Sequence, residues 1–353
     1  MPLDEATLER WRRLEAIFDE VAEFHPEERA ARLEALCAGD GDLLQEAGAL
    51  LRARDEEERV TATYVSANSG ELRDTHIGRR FGPYRLEKLL GRGGMGTVYL
   101  ARRVDGQFDQ QVAVKLIGLP LVSDLFREKF RLERQILAGL SHPYIARLLD
   151  GGVSEAGELY LAMEYANGLP IQRYSEQHSL SVRQRIELFK SVCTAVRYAH
   201  QNLVIHRDLK PDHIVVLEDG TPKLLDFGTA KLVTPVDAPA EGEFTRLGLH
   251  SFTPQYASPE QVLGQPITTA SDIYSLGVLL FLLTTGVLPY ELKEFTIAEM
   301  VRVICEEQPP KPSQKASPGT LDSDFDAIVL KALRKEPEQR YASIDQLDRK
   351  SVV

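Results

Sequence analysis

The sequence predicts an α+β chain, in which a small all-α segment precedes a strand-rich stretch and then a longer helical one. Three observations lead there. Apolar residues recur at helical spacing between positions 5 and 58, apolar runs flank a glycine cluster between 84 and 117, and helical periodicity dominates after Tyr165. In the first segment Trp11, Leu14, Phe18 and Val21 form one stripe. Ala30, Leu33, Leu36 and Cys37 form a second, and Leu43, Leu44, Ala47, Leu50 and Leu51 a third. Pro26 suits the first turn of the middle helix, where its missing N–H is not needed, and Gly39-Asp40-Gly41 separates that helix from the next. A segment of about 55 residues has a thin core, so it is expected to pack against a partner that the sequence does not name. Residues 60–80, with Thr, Ser, Asn and Gly and little periodicity, read as a linker. Beyond Phe81, Tyr84 to Leu86 and Val98 to Leu100 read as strands, and Val112 to Ile117 as an alternating strand. A helix is expected at about 124–140, followed by short strands up to Tyr165.

Composition narrows the class. With 43% hydrophobic and 27% charged residues, the 353-residue chain is that of a soluble globular protein. Its net charge of −11 argues against a nucleic-acid partner. That charge is unevenly spread: residues 1–59 carry 17 Asp and Glu against 8 Lys and Arg, so most of the excess belongs to the first segment. Cys37, Cys193 and Cys305 lie far apart in apolar helical contexts, as small buried side chains of a reducing cytoplasm would. The chain opens with Asp4, Glu5 and Glu9, not with a basic-then-apolar leader. The longest apolar run, Ile273 to Tyr290, is interrupted by Ser275, Gly277, Thr284, Thr285 and Gly286 and meets Pro289. It is too short of apolar length to cross a core of ~30 Å, so a buried helix is expected and no membrane segment.

The residues that could carry chemistry are His206-Arg207-Asp208-Leu209-Lys210-Pro211 and, 18 residues after Asp208, Asp226-Phe227-Gly228. Two isolated carboxylates, each on a turn after a short apolar run, are the parts phosphoryl transfer needs. One can accept a proton from an attacking hydroxyl, and the other can hold a metal ion that neutralises phosphates. Gly91, Gly93, Gly94 and Gly96 lie between two strands, two positions before Val98, where backbone N–H groups could approach phosphate oxygens. A plain glycine-rich hairpin is the alternative; a dinucleotide-binding fingerprint is excluded because a strand follows, not a helix. Lys115 shares a strand face with Ala113 and needs an anionic partner unless its tip reaches water. Glu133 falls within the stripe of Phe126, Phe130, Leu137 and Leu140 and is the candidate.

In this order the motifs resemble those of bacterial eukaryotic-like (Hanks-type) Ser/Thr protein kinases, from about Phe81 to the end of the chain. Acidic helical segments like residues 1–59 precede the kinase domain in some of them. The resemblance implies a bilobal protein-kinase fold over 81–353, with an N-lobe at 81–166, a C-lobe at 167–353 and a last helix cut short at Val353. It implies ATP and Mg²⁺ as cofactors, a protein Ser or Thr as acceptor, and autophosphorylation. Gly91, Gly93, Gly94, Gly96, Val98 and Ala113 would enclose the nucleotide. Lys115, paired with Glu133, would orient the α- and β-phosphates. Met163 would be the gatekeeper, and the backbone of Glu164 and Ala166 would bond the adenine edge. Asp208 would be the base, Lys210 would stabilise the transferring phosphate, and Asp226 would hold metal. The family pattern has a metal-binding Asn where this chain has His213. Imidazole suits softer ions, so Mn²⁺ use with His213, or a one-metal site at Asp226, are both open, and activity is expected to fall as His213 protonates at mildly acid pH.

Asp226 to Glu260 fits an activation segment. Thr253, five residues before Ser258-Pro259-Glu260, would contact Asp208 and Lys210. Thr245 and Ser251 would be phosphosites with Arg207 as their cationic partner. Asp272 would cap the buried helix and tie it to the catalytic loop, and Arg340 would pair with Glu260. Family members often continue into a membrane anchor, so a cytoplasmic kinase anchored downstream of Val353 is one expectation. One rival is a pseudokinase serving as a binding or scaffold module, which only His213 supports. The other, a small-molecule kinase of related fold, is opposed by Lys210-Pro211, Thr253 and the Ser-Pro-Glu segment, which build a shelf for a peptide.

Overall fold

The computed structural model describes residues 74–93, 96–117, 124–154, 157–227, 253–292, 296–317 and 319–350, together with 26–37 and isolated positions between 17 and 48. The described residues fall into two units, one up to Asp74 and one from Thr75 onward. In the first, helix α1 (Pro26–Cys37) opens on Pro26 as expected. Ile17, Val21, Leu33, Cys37, Leu43 and Ala47 are buried in one cluster. Asp40 Oδ1 accepts a hydrogen bond from the Leu43 N–H at 3.0 Å, so the aspartate between the two glycines starts the next helical turn. Trp11, Leu14, Phe18, Leu50 and Leu51 lie outside the described residues.

The second unit begins with an antiparallel sheet in the order β1-β2-β3-β4-β6-β5. Its strands are β1 (Arg80–Phe81), β2 (Tyr84–Gly93), β3 (Gly96–Arg103), β4 (Gln111–Ile117), β5 (Leu148–Val153) and β6 (Leu159–Glu164). Residues 75–80, assigned to the linker by sequence, belong here: the Leu86 N–H donates to Arg79 O at 3.0 Å and Arg80 pairs with Arg85. Strand β4 is buried on both faces, because its alternating side chains serve two cores. Val112, Val114 and Leu116 pack with Tyr84, Tyr99 and Tyr160. Ala113 and Ile117 pack on the other side with Leu161, Met163 and Phe130 of helix α2 (Asp124–Ala138). Each wholly buried valine here stabilises the sheet by roughly 1.5–3 kcal/mol.

A second antiparallel sheet, β7 (Gly168–Pro170), β8 (Ile214–Leu217) and β9 (Pro222–Leu224), opens the helical lobe. Around it stand α3 (Ile171–Gln177), α4 (Val182–Gln201), α5 (Pro259–Val262), α6 (Thr269–Thr285), α7 (Ile297–Met300), α8 (Pro312–Lys315), α9 (Ser323–Ala332) and α10 (Ile344–Lys350). The apolar run forms α6, buried from Ser271 to Thr284. Gly277 lets α9 come close, since a Cβ there would lie 2.9 Å from the Ala332 Cβ. One expectation is corrected. The N-cap of α6 is Thr268, whose hydroxyl accepts from the Ala270 N–H at 3.2 Å, so Asp272 is free for another task. Among the described residues no helix is long and apolar enough to cross a membrane.

Candidate active site

A short hairpin brings the two chemistry-bearing loops together. The turn Pro211–His213 runs into β8, and Asp226 follows β9 by two residues. Between the strands Asp219 Oδ1 accepts from the Thr221 N–H at 2.9 Å, closing the turn. The register Ile214 to Leu224 sets His213 against Leu225, whose N–H donates to His213 O at 2.8 Å. Asp226 therefore stands beside His213.

The loop that carries Asp208 is held in a conformation it would not adopt alone. Arg207 has φ 72° and Asp226 φ 59°, both in the left-handed region that L-residues avoid. Asp272, freed from capping, supplies the restraint. Its Oδ1 accepts from the Arg207 N–H at 2.9 Å and its Oδ2 from the His206 N–H at 2.8 Å, with His200 Nε2 at 2.7 Å. Gln261 Nε2 donates to Arg207 O at 2.6 Å. His206 is 1% exposed, and burial pushes its pKa down. Its Nε2 lies 2.9 Å from Leu225 O and its Nδ1 3.4 Å from the Asp208 N, so the proton sits on Nε2.

Asp208 is 8% exposed. Its Oδ2 lies 2.8 Å from Lys210 Nζ, and its Oδ1 accepts from the Thr253 N–H at 3.2 Å. Lys210 Nζ also donates to Thr253 Oγ1 at 2.6 Å. Burial opposes ionisation of Asp208, but the neighbouring His213 and Lys210 outweigh it and hold the carboxyl below its ordinary range. Asp226 behaves likewise: burial pushes its pKa up, and Lys115, with Nζ 3.2 Å from Oδ1, brings it net down. His213 Nδ1 is 2.7 Å from Asp208 O and Nε2 is 3.8 Å from Asp226 Oδ2. Burial drives the His213 pKa down to about 4 against the pull of both carboxylates, so the ring is neutral at mildly acid pH. A neutral ring there argues against the expected protonation of His213 at mildly acid pH.

On the sheet side, Val98 pairs opposite Lys115 and Ala113 opposite Met163, so these four residues share one face of the N-lobe sheet. Gly91 and Gly93 end β2, and Gly96 begins β3 with φ 136°, where a Cβ would lie 2.0 Å from Leu116 O. Gly94 lies outside the described residues. The Glu164 N–H donates to Arg147 O at 2.8 Å and its carboxylate meets Lys223 Nζ at 2.8 Å. Its carbonyl and Ala166 follow at the strand end before β7. Glu133 sits on α2, but its side chain lies outside the described positions, as do Thr245 and Ser251 altogether.

Sequence reasoning missed what Ser258 and Gln261 do. The Ser258 N–H and O–H both donate to Gln261 Oε1, at 3.0 and 3.1 Å, while Gln261 reaches Arg207 O. The signal was present as a Ser-x-x-Gln box at the start of α5. Glu260 accepts two bonds from Arg340, each 2.7 Å, and a third from Ser271 at 2.7 Å.

The protein kinase domain family model matches residues 84–352, and the chain belongs to that family. It is 36% identical over 280 residues to the serine/threonine-protein kinase pkn3 of Myxococcus xanthus, covering 77% of this chain and 50% of pkn3. It is 37% identical over 272 residues to PknB of Mycobacterium tuberculosis, covering 75% of this chain and 41% of PknB. The chain thus spans half or less of the length of these two relatives. The solved kinase domain of Mycobacterium tuberculosis PknI is similar with a TM-score of 0.59 and 25% identity, covering 79% of this chain and 98% of that one. The fold is that of a bacterial Hanks-type Ser/Thr protein kinase, a β-sheet N-lobe followed by a helical C-lobe.

Proposed function

We propose that this member of the protein kinase family transfers the γ-phosphoryl group of ATP to protein Ser and Thr hydroxyls, its own included. The observation that carries the proposal is the bonded ring of Asp208, Lys210 and Thr253, closed by contacts of 2.8, 2.6 and 3.2 Å. A residue 45 positions along the chain from the carboxylate completes that ring, as an acceptor-peptide shelf requires. In this reading Asp208, ionised at neutral pH, receives the proton of the acceptor hydroxyl. Lys210 steadies negative charge on the transferring phosphate. Lys115, with Glu133 as its proposed second partner, holds the α- and β-phosphates. Gly91, Gly93, Gly94, Gly96, Val98 and Ala113 enclose the nucleotide, beside Met163 and the backbone of Glu164 and Ala166.

Asp226 fits the metal role on physical grounds. Its Oδ1 faces the Lys115 ammonium at 3.2 Å and its Oδ2 turns toward the His213 ring, so the buried, ionised carboxylate offers oxygen to a hard divalent cation. Such an ion, when bound, neutralises the phosphates. Phosphorylation of Thr245 or Ser251, a cytoplasmic site of action where ATP is supplied, and division into an acidic helical segment (1–59), a linker (60–74) and a kinase domain from Thr75 onward complete the proposal. The partner of the helical segment is one the sequence leaves unnamed. The test is label transfer from ATP: Lys115→Ala and Asp208→Asn should each lower the rate at least about 10²-fold while the protein still melts cooperatively. Substantial transfer by the Asp208 variant would sink the mechanism. His213 favours the second reading, a pseudokinase, and ATP binding without transfer under either Mg²⁺ or Mn²⁺ would select it.

A further inference from the structure

We propose that Asp226 and His213 form a mixed carboxylate–imidazole cation site that takes Mn²⁺ in preference to Mg²⁺. The inference rests on the ATP-dependent reading above and specifies the ion that serves it. Its basis is the orientation of the imidazole. His213 Nδ1 lies 2.7 Å from Asp208 O, and a carbonyl oxygen can only accept, so Nδ1 carries the ring proton. The lone pair of the neutral ring is then on Nε2. That atom makes no hydrogen bond with the described residues and lies 3.8 Å from Asp226 Oδ2, too far for one. The gap is shorter than two metal–ligand bonds of about 2.1 Å, so one ion can touch both atoms.

The surroundings agree. Lys115 Nζ meets Asp226 at Oδ1, which leaves Oδ2 as the oxygen turned toward the ring. A backbone carbonyl that receives the other N–H of an imidazole is the usual device for fixing a metal-binding histidine. His206, the neighbouring ring, cannot substitute, because its Nε2 is committed to Leu225 O. Among the described residues no third His, Cys, Asp or Glu joins the pair, so phosphate and water oxygens must complete the shell. A shell with one nitrogen suits Mn²⁺ better than Mg²⁺, which demands oxygen and gives up its waters reluctantly.

Pulsed electron paramagnetic resonance on the full chain, with Mn²⁺ and a non-hydrolysable ATP analogue, reads this site without catalysis. Histidine-selective ¹⁵N labelling separates the protein imidazole from the adenine nitrogens. The expected spectrum shows histidine nitrogen coupled to Mn²⁺ in the wild type and none in His213→Asn. The ratio of Mn²⁺ to Mg²⁺ affinity should fall at least about tenfold in that variant. Wild-type protein that binds Mn²⁺ and nucleotide with no histidine coupling would overturn the inference and leave His213 as a clamp on the loop, with the kinase reading intact. An unchanged affinity ratio in a well-folded variant would do the same. Failure of the wild type to bind the nucleotide at all would overturn both.

Discussion

Replacing Asp272 with Asn tests whether a buried carboxylate sets the geometry of the loop that carries Asp208. Asp272 is 1% exposed, and its two oxygens accept from the Arg207 and His206 N–H groups at 2.9 and 2.8 Å. An amide keeps one oxygen and presents an amino group in place of the other. The least costly orientation keeps the Oδ2 contacts with His206 and His200 and turns the amino group toward the Arg207 N–H. A hydrogen bond to a charged acceptor is then lost, about 1.5–3 kcal/mol. Arg207 at φ 72° carries backbone strain of order 1–3 kcal/mol, which that bond helps to offset, so the loop relaxes and Asp208 beside it shifts. Thermal melts should move down by roughly 3–12 °C, taking about 2–4 °C per kcal/mol for a domain of this size. Initial-rate assays with a peptide acceptor should show kcat about 10–10²-fold lower, since each tenfold is 1.36 kcal/mol in the barrier. Nucleotide affinity should stay near that of the wild type, because Lys115 and the strand end at Glu164 lie in the other lobe. A variant that melts within about 1 °C of wild type with an unchanged kcat would refute the reasoning.

Two further outcomes follow from buried charges. Arg340→Met should destabilise the protein by about 3–5 kcal/mol in denaturant melts, because it strands the Glu260 carboxylate, 2% exposed, without its cation. Burial pushes the Glu260 pKa up, but Arg340 brings it below the ordinary 4.5. The pair therefore contributes fully above the unfolded pKa and fades as pH falls through the folded one, and melts of Glu260→Gln should lack that acid-side slope. Finally, because His213 titrates at about 4 and a nearby cation would lower it further, the pH–rate profiles of wild type and His213→Asn should run parallel between about pH 5.5 and 7.5. A wild-type step near pH 6 that the variant lacks would contradict the neutral ring.

Much of the protein was legible in local windows of sequence. Strands, the helix opened by Pro26, a buried helix in the apolar run Ile273 to Tyr290 (found at Thr269–Thr285) and the order of the glycine hairpin, Lys115, Asp208 and Asp226 are written in periodicity and turn chemistry, which act over a few residues. The contact between Thr253 and the catalytic loop was also reached, through the resemblance of the whole motif set. What sequence could not give are juxtapositions set by packing. The tie of Asp272 to the loop was reached through the resemblance, but its place in the first turn of an apolar helix also reads as a cap, and only the packing of α6 shows that Thr268 caps while both Asp272 oxygens serve residues 65 and 66 positions away. Strand β4 reads as an alternating strand, and only packing shows that Phe130 of α2 helps to bury its Ala113 and Ile117 face. His213 reads as a charged-or-neutral switch, and the choice is made by burial and by Asp208 O, neither of which has a local signal. Residue types and short-range propensities thus fixed which groups the chain carries and on what element. Desolvation and the meeting of distant backbone polar groups, which exist only once the lobe is packed, decided their protonation and their partners.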